Sequence, residues 1–430
     1  MLMKGAPRVE ISLKSKNGIN IYAYKNPNLH SFHLSLFLRA GAMFETAADG
    51  GITHFLEHVS IRNVNKIMNG TLYRTLDKYG LEFNASSFSE MVQFYMSGAS
   101  KNFESGVGIF AKLLSPIVLE KSDIDAERKR IKAEIRESDE KNSLLTFTNK
   151  ITHKGTSLEG SIVGSNPVID KITKRRLEEY RKKVFTAENV FFYLSGNFSD
   201  RDLELLADEI SKYSVSRGKE RENFAPVPEN FGKRPREVYV KNADFTMARF
   251  TFDIDMTRLA VPETDLIYDI LLSGYASKFF IEMSEERGLF YDINGALERY
   301  RNIGEIYFYY EVKEQNLYEA LEITVDILNE LKKNLLTEDS LMKAPYVDNA
   351  YNLFDDNREF NFTFAYDRHI MKLPYKSLEE RIKAYEKVTP ERIRAAACEI
   401  FRPENLTLTI KGKKKKTDTE KIKKIIDRLN

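Results

Sequence analysis

Tryptophan is absent from the 430 residues, cysteine occurs once and histidine only six times. A single cysteine, Cys398, excludes an intrachain disulfide, so a reducing cytoplasm is the default compartment. It lies in Ala395-Ala-Ala-Cys398, which reads as a buried helix face and not as a nucleophile. No uninterrupted apolar stretch approaches a membrane span, and Met1-Leu-Met-Lys-Gly-Ala-Pro-Arg-Val-Glu10 lacks the apolar run of a signal peptide. An excess of one charge sign is missing too. Sixty-six Lys and Arg stand against 64 Asp and Glu, net +2 with both signs interspersed, so neither nucleic acid nor a membrane surface is expected as partner.

What is present is the composition of a globular chain, 42% apolar and 30% charged, long enough for about two to three domains. Against that background the few histidines matter. Asp49-Gly-Gly-Ile-Thr-His-Phe-Leu-Glu-His-Val-Ser-Ile61 puts His54, Glu57 and His58 at i, i+3 and i+4, on one face of a helix. With so few histidines the pattern arises by chance on the order of 0.01 times in a chain of this length. Two neutral imidazoles one turn apart take two corners of a zinc tetrahedron, and the carboxylate between them reaches a water on the metal without ligating it. One protein ligand is still missing from such a centre.

Along the chain, period-two alternation predicts strands at Val9–Leu13, Ile19–Tyr24 and His33–Leu38, before the helix that carries His54. A helix over Leu72–Tyr79 stops at Gly80, and strands follow at Glu82–Asn84 and Met91–Met96. Residues 122–142 are strongly helical. Glu127 and Glu134 lie two turns apart on one side of that helix, a spacing that on its own suits a solvated face. Residues 217–236 hold Pro226, Pro228, Pro235, Gly218 and Gly232 among many charges, the most linker-like stretch in the chain.

Beyond it the first half repeats. Phe185-Thr-Ala-Glu-Asn189 with Gly196 is echoed by Phe401-Arg-Pro-Glu-Asn405 with Gly412, and Tyr79-Gly-Leu-Glu-Phe-Asn84 by Arg287-Gly-Leu-Phe-Tyr-Asp292. Two copies of one α+β unit are therefore expected: 1–216 with the metal motif, a linker at 217–236, and 237–430 without a histidine pair near Pro262 to Ser273.

With Arg39-Ala-Gly41, Glu45 and Asn84-Ala-Ser-Ser87 added to these motifs, the sequence resembles the inverzincin metallopeptidases of the pitrilysin and mitochondrial processing peptidase family, in their short bacterial form. The resemblance implies two homologous halves, each a mixed, mainly antiparallel sheet with helices packed on one face. Family members place a glutamate zinc ligand roughly 76 residues after the second histidine and another important glutamate seven residues before it. Those positions here are Glu134 and Glu127. His54, His58 and Glu134 are thereby implied as ligands of one Zn2+ per chain, Glu57 as general base and Glu127 as the carboxylate that orients a ligand.

The resemblance further implies substrate binding as an added strand at Asn84, Ala85 and Ser86, and an Arg-x-x-x-Gly-Leu-x-Tyr motif that holds substrate. Tyr291 keeps the tyrosine of that motif, but its arginine position is Ser284. The expectation is a cytoplasmic zinc endopeptidase that cleaves unfolded peptides or presequence-like segments in the chamber of a dimer. Its partner is a second copy or a paralogue that supplies the intact pair, and a non-catalytic scaffold subunit is the alternative.

Overall fold

The computed structural model describes residues 9–141, 143–290 and 293–429. They form two compact units. One holds the described residues through Lys141 together with Gly160–Asn223 and Ala350–Glu380; the other holds the described residues of Asn142–Glu159, Phe224–Asn349 and Arg381–Asn430. Among the described residues, no helix is long and apolar enough to cross a membrane.

In the first unit the alternating segments become β1 (Ile11–Lys14), β2 (Asn20–Lys25) and β3 (Ser31–Leu38), followed by helices α1 (Ile52–Ile67) and α2 (Leu72–Tyr79). The hairpin β4 (Glu82–Ser87) and β5 (Val92–Ala99), helices α3 (Phe103–Ala111) and α4 (Lys121–Lys141), and strand β6 (Val190–Gly196) follow, with further helices around them. The sheet order is β1-β2-β6-β3-β5-β4, with only the β2/β6 pair parallel. Phe32, Leu34, Leu36 and Leu38 of β3 join Phe55, Leu56 and Val59 of α1 in one core.

The second unit repeats this plan with β7 (Val238–Asn242), β8 (Thr246–Asp255), β9 (Ile293–Arg299), β10 (Ile303–Val312) and β11 (Leu406–Gly412) in the order β7-β11-β8-β10-β9. Its one parallel pair, β7/β11, corresponds to β2/β6. The repeated Phe-x-x-Glu-Asn motif has the same task in each unit. Asn189 Nδ2 donates to Val184 O at the end of one helix and to Arg39 O just after β3, at 2.8 and 2.9 Å; Asn405 Nδ2 donates to Ile400 O and to Asp253 O in β8, at 2.7 and 2.8 Å. Each asparagine ties a helix end to the neighbouring strand, where an orphan carbonyl would otherwise be buried.

The units are not uninterrupted halves of the sequence, and helices cover more than one face of each sheet. Helix Asn357–Ala365, from the second half of the sequence, lies on the face of the first sheet that carries His33, Ser35 and Phe37. Asn361, fully buried, accepts from Ser35 Oγ at 2.6 Å and donates to His33 O, Tyr193 O and Ser195 Oγ at 3.1, 3.2 and 3.0 Å. Reciprocally, helix α5 (Ser143–Thr152), from the first half, covers the second sheet: Thr148 Oγ1 meets Thr409 Oγ1 at 2.7 Å, and beyond the helix His153 Nε2 meets Glu305 Oε2 at 3.2 Å. This double cover is why β3 is buried almost end to end instead of alternating.

Two smaller expectations change. The 217–236 stretch is pinned at several points: Arg221 N donates to Asn189 Oδ1, and buried Arg234 forms a two-point pair with Asp253 at 2.6 and 2.7 Å. Cys398 is exposed and not on a buried face. Ile393, Ala396, Ala397 and Ile400 fill the buried stripe of their helix, and position 398 falls about 100° round from it.

Candidate metal centre

The entry to α1 is fixed before any ligand is placed. Its cap residue Gly51 offers no side chain, and the Glu45 carboxylate takes over, accepting from Gly51 N at 2.7 Å and Thr53 N at 2.8 Å. Negative charge there also complements the helix dipole. Gly51 has φ 88°, and a Cβ on it would lie 2.7 Å from Gly164 Cα, so two glycines let the chain cross itself beneath the helix. Thr53 Oγ1 and Tyr180 Oη, 2.7 Å apart, add a side-chain tie.

Residues 54, 58, 62 and 66 then recur on one face of α1, and α4 answers them in reverse order. Lys66 and Arg62 pair with Asp123 at 3.3 and 3.2 Å, Arg62 also reaches Glu127 Oε1 at 2.8 Å, and His58 Nδ1 lies 3.3 Å from Glu127 Oε2. At the end of this ladder Glu134 Oε2 stands 3.3 Å from His58 Nε2 and 3.5 Å from His54 Nε2. His54, His58 and Glu134 are the one potential metal-holding group among the described residues, with ligand atoms all within 4.8 Å of one another.

These atoms suit a cation. A tetrahedral ion with bonds of about 2.1 Å needs ligand atoms about 3.4 Å apart, and the two carboxylate-to-imidazole distances bracket that value. Assigning the His58 proton to Nδ1 satisfies Glu127, but leaves the Nε2 lone pair facing a carboxylate oxygen 3.3 Å away, a repulsion that a cation relieves. His54 Nδ1 is buried and has no hydrogen-bond partner among the described residues. Burial, then the neighbouring His58, pull the His54 imidazole down to about 3, so it is a neutral donor at ordinary pH.

Acidity is arranged differently at the other members. Burial pulls His58 down, yet its bond to Glu127 and the charges of Glu134 and Glu57 outweigh that and leave it raised. Burial alone would raise Glu127, but His58, Arg62 and Arg130 hold it below the usual carboxylate range. Glu57 is raised, chiefly by burial, against the opposing pull of a hydrogen bond from Ser87 Oγ at 2.5 Å.

That serine ends β4, an edge strand with no neighbour on its outer side among the described residues. Asn84, Ala85 and Ser86 lie on the same strand; Ala85 packs toward the α1 core, while Asn84 Oδ1 accepts from Ala85 N at 2.8 Å. Tyr291 lies outside the described residues. In the second unit Ser284 falls within the helical segment Phe280–Glu285, Arg287 bonds Glu286 at 3.1 Å, and Arg299 is engaged by Asp265 at 2.5 Å. Helix Val261–Leu272 of the second unit has no histidine and pairs Glu263 and Asp265 with Arg392 and Arg299.

Sequence reasoning gave no role at this centre to Arg62, Asp123 or Ser87, the last quoted only within the Asn84–Ser87 motif. The 54-58-62-66 spacing was a signal for the first, and strand alternation, which groups Phe83, Ala85 and Ser87, was one for the last.

Two sheets of one plan, each with its helices, form the fold of solved peptidase domains. The structure titled as a peptidase M16 inactive domain from Pseudomonas fluorescens superposes with TM-score 0.83 at 17% identity, covering 94% of this chain and 98% of that one. A protease from Helicobacter pylori gives 0.82 at 15% identity, covering 94% and 100%.

The chain belongs to peptidase family M16: the family model described as Insulinase (Peptidase family M16) matches residues 21–166, and that described as Peptidase M16 inactive domain matches 171–344. Among curated relatives, an uncharacterized zinc protease of Rickettsia felis is 24% identical over 74% of this chain and 77% of its own length. The mitochondrial-processing peptidase subunit beta of Blastocladiella emersonii is 25% identical over 53% and 46%.

Proposed function

We propose that the chain is a zinc-dependent endopeptidase that hydrolyses unfolded or presequence-like peptides, with His54, His58 and Glu134 as the ligands of one zinc ion. The observation that carries this reading is the convergence of those three ligand atoms one helical turn from a buried carboxylate, Glu57, beside a strand edge that is unpaired among the described residues. Bound zinc supplies Lewis acidity, which makes water a competent nucleophile near neutral pH and polarises the scissile carbonyl.

The remaining steps belong to the protein. Glu57 accepts one proton as the water oxygen bonds to the carbonyl carbon, and returns it to the amine nitrogen as the C–N bond breaks. Glu127 fixes the His58 tautomer and ring. The outer edge of β4, through Asn84, Ala85 and Ser86, binds the peptide by main-chain hydrogen bonds, which demand little of its sequence. Peptide hydrolysis by the purified chain tests this: Glu57→Gln should keep zinc and lose turnover, and full activity in that variant would refute the assignment.

A second reading concerns assembly. Position 284 is serine and Arg299 is tied to Asp265, so the second unit has no free arginine at either place to serve with Tyr291. In this reading the chain works in a dimer chamber with a paralogue that carries the pair. Loss of a charged donor costs about 10²- to 10³-fold in rate; an inert, zinc-loaded chain rescued by Ser284→Arg or by a paralogue supports it, and undiminished activity of the isolated chain overturns it.

A further inference from the structure

Glu57 is carried by a helix, and the one hydrogen bond of its carboxylate found among the described residues comes from a strand. Ser87 Oγ donates to Glu57 Oε2 at 2.5 Å. Alternation along β4 turns Phe83, Ala85 and Ser87 toward α1, and the first two pack against the core, so the serine's direction is set by the strand and not by its own rotamer alone.

The turn after Ser87 is fixed from several sides. Phe88 N donates to Met91 O at 2.8 Å and Met43 N donates to Ser89 O at 2.9 Å. Gly41 lies so close that a Cβ on it would come within 2.3 Å of Ser89 O. Behind the turn Phe88 packs against Phe362 of helix Asn357–Ala365, with ring centroids 5.4 Å apart. Ser87 is thus a donor on a rigid mount, aimed at a long carboxylate side chain that would otherwise sample several rotamers.

We propose that Ser87 is a positioning residue for hydrolysis: by binding Oε2 it holds the Glu57 carboxylate with its other oxygen free to exchange the proton of the attacking water. The proposal rests on Glu57 being the base. It differs from any role of Ser87 in holding substrate, because strand addition uses main-chain groups that a side-chain change leaves in place.

The test compares wild type with Ser87→Ala, Ser87→Thr and Glu57→Gln on an unstructured fluorogenic peptide, with zinc content measured in each. Ser87→Ala should keep full zinc and an unchanged KM while kcat falls about 10- to 100-fold, the range for losing one hydrogen bond to a charged group. Ser87→Thr, which keeps a hydroxyl, should recover most of that loss.

A wild-type kcat in Ser87→Ala with a dead Glu57→Gln overturns the positioning role and leaves the base intact. An active Glu57→Gln overturns the underlying reading instead. A raised KM with kcat unchanged, or lost zinc, assigns Ser87 to substrate binding or to structure and also overturns the proposal. If the isolated wild-type chain turns over no peptide, crystal structures of the zinc-loaded wild type and Ser87→Ala decide: a displaced Glu57 carboxylate in the variant supports the proposal, and an unmoved one overturns it.

Discussion

Glu90 sits in the turn between β4 and β5, buried, and its carboxyl accepts a hydrogen bond from Tyr366. Burial pushes that carboxyl from 4.5 up to about 7, with the tyrosine bond pulling back only in part. Its folded value is raised, so it favours folding at low pH and loses that advantage as pH rises from the unfolded value through the folded one. Glu90→Gln keeps an acceptor for Tyr366 and cannot ionise. Linkage puts the gain from that change at about 1 kcal/mol at pH 5 and about 3 kcal/mol at pH 8. Thermal unfolding of both proteins at the two pH values, at one scan rate, measures it. The variant should melt several degrees above wild type at pH 8 and close to it at pH 5. An equal loss of stability at both values would mean that Glu90 is a paired carboxylate in the folded protein, and would refute the reasoning.

Other perturbations have equally definite outcomes. His153, raised because its bond and charge contact with Glu305 outweigh burial, contributes stability below about 6.5 that is lost as pH rises through its folded value; Glu305, held low by that same contact against burial, contributes above 4.5. Urea unfolding should therefore show His153→Gln costing about 3 kcal/mol at pH 6 and much less at pH 9, and a cost independent of pH contradicts the pairing. Glu127→Ala should weaken zinc binding about 10- to 100-fold by releasing the His58 ring, read from competition with a chelator; unchanged affinity would show that Arg62 and α4 packing orient the ring without it. A protease site inserted between exposed Glu229 and Asn230 should yield a nicked protein that stays together on gel filtration, while residues 1–216 alone should aggregate because the sheet face bearing His33, Ser35 and Phe37 has lost its cover. A monomeric, folded 1–216 fragment would contradict that.

Much of this was readable because it is local. Alternation marks β1 to β3, the 54-57-58 spacing marks the face of α1 that meets Glu134, and the paired asparagines Asn189 and Asn405 mark equivalent corners of two units because each performs the same carbonyl capping. The exchange of α5 and helix Asn357–Ala365 was not readable. Periodicity tells which face of a helix is buried but not which sheet covers it, and residues that fasten one of them, Asn357 and Asn361, have partners 162 to 328 positions away. The 217–236 stretch shows the same limit: its composition is linker-like, while Arg234 makes a buried two-point pair that composition does not reveal. At the candidate metal centre, motif and resemblance singled out residues that the fold brings together, while the contact of Ser87 with Glu57 needed the register of β4 against α1.

Zinc stoichiometry tests the central claim most directly. After exhaustive dialysis, metal analysis should find one zinc per chain in wild type and in Glu57→Gln, and close to none in His58→Ala or Glu134→Ala. Full zinc retained by both of those ligand variants would contradict the account.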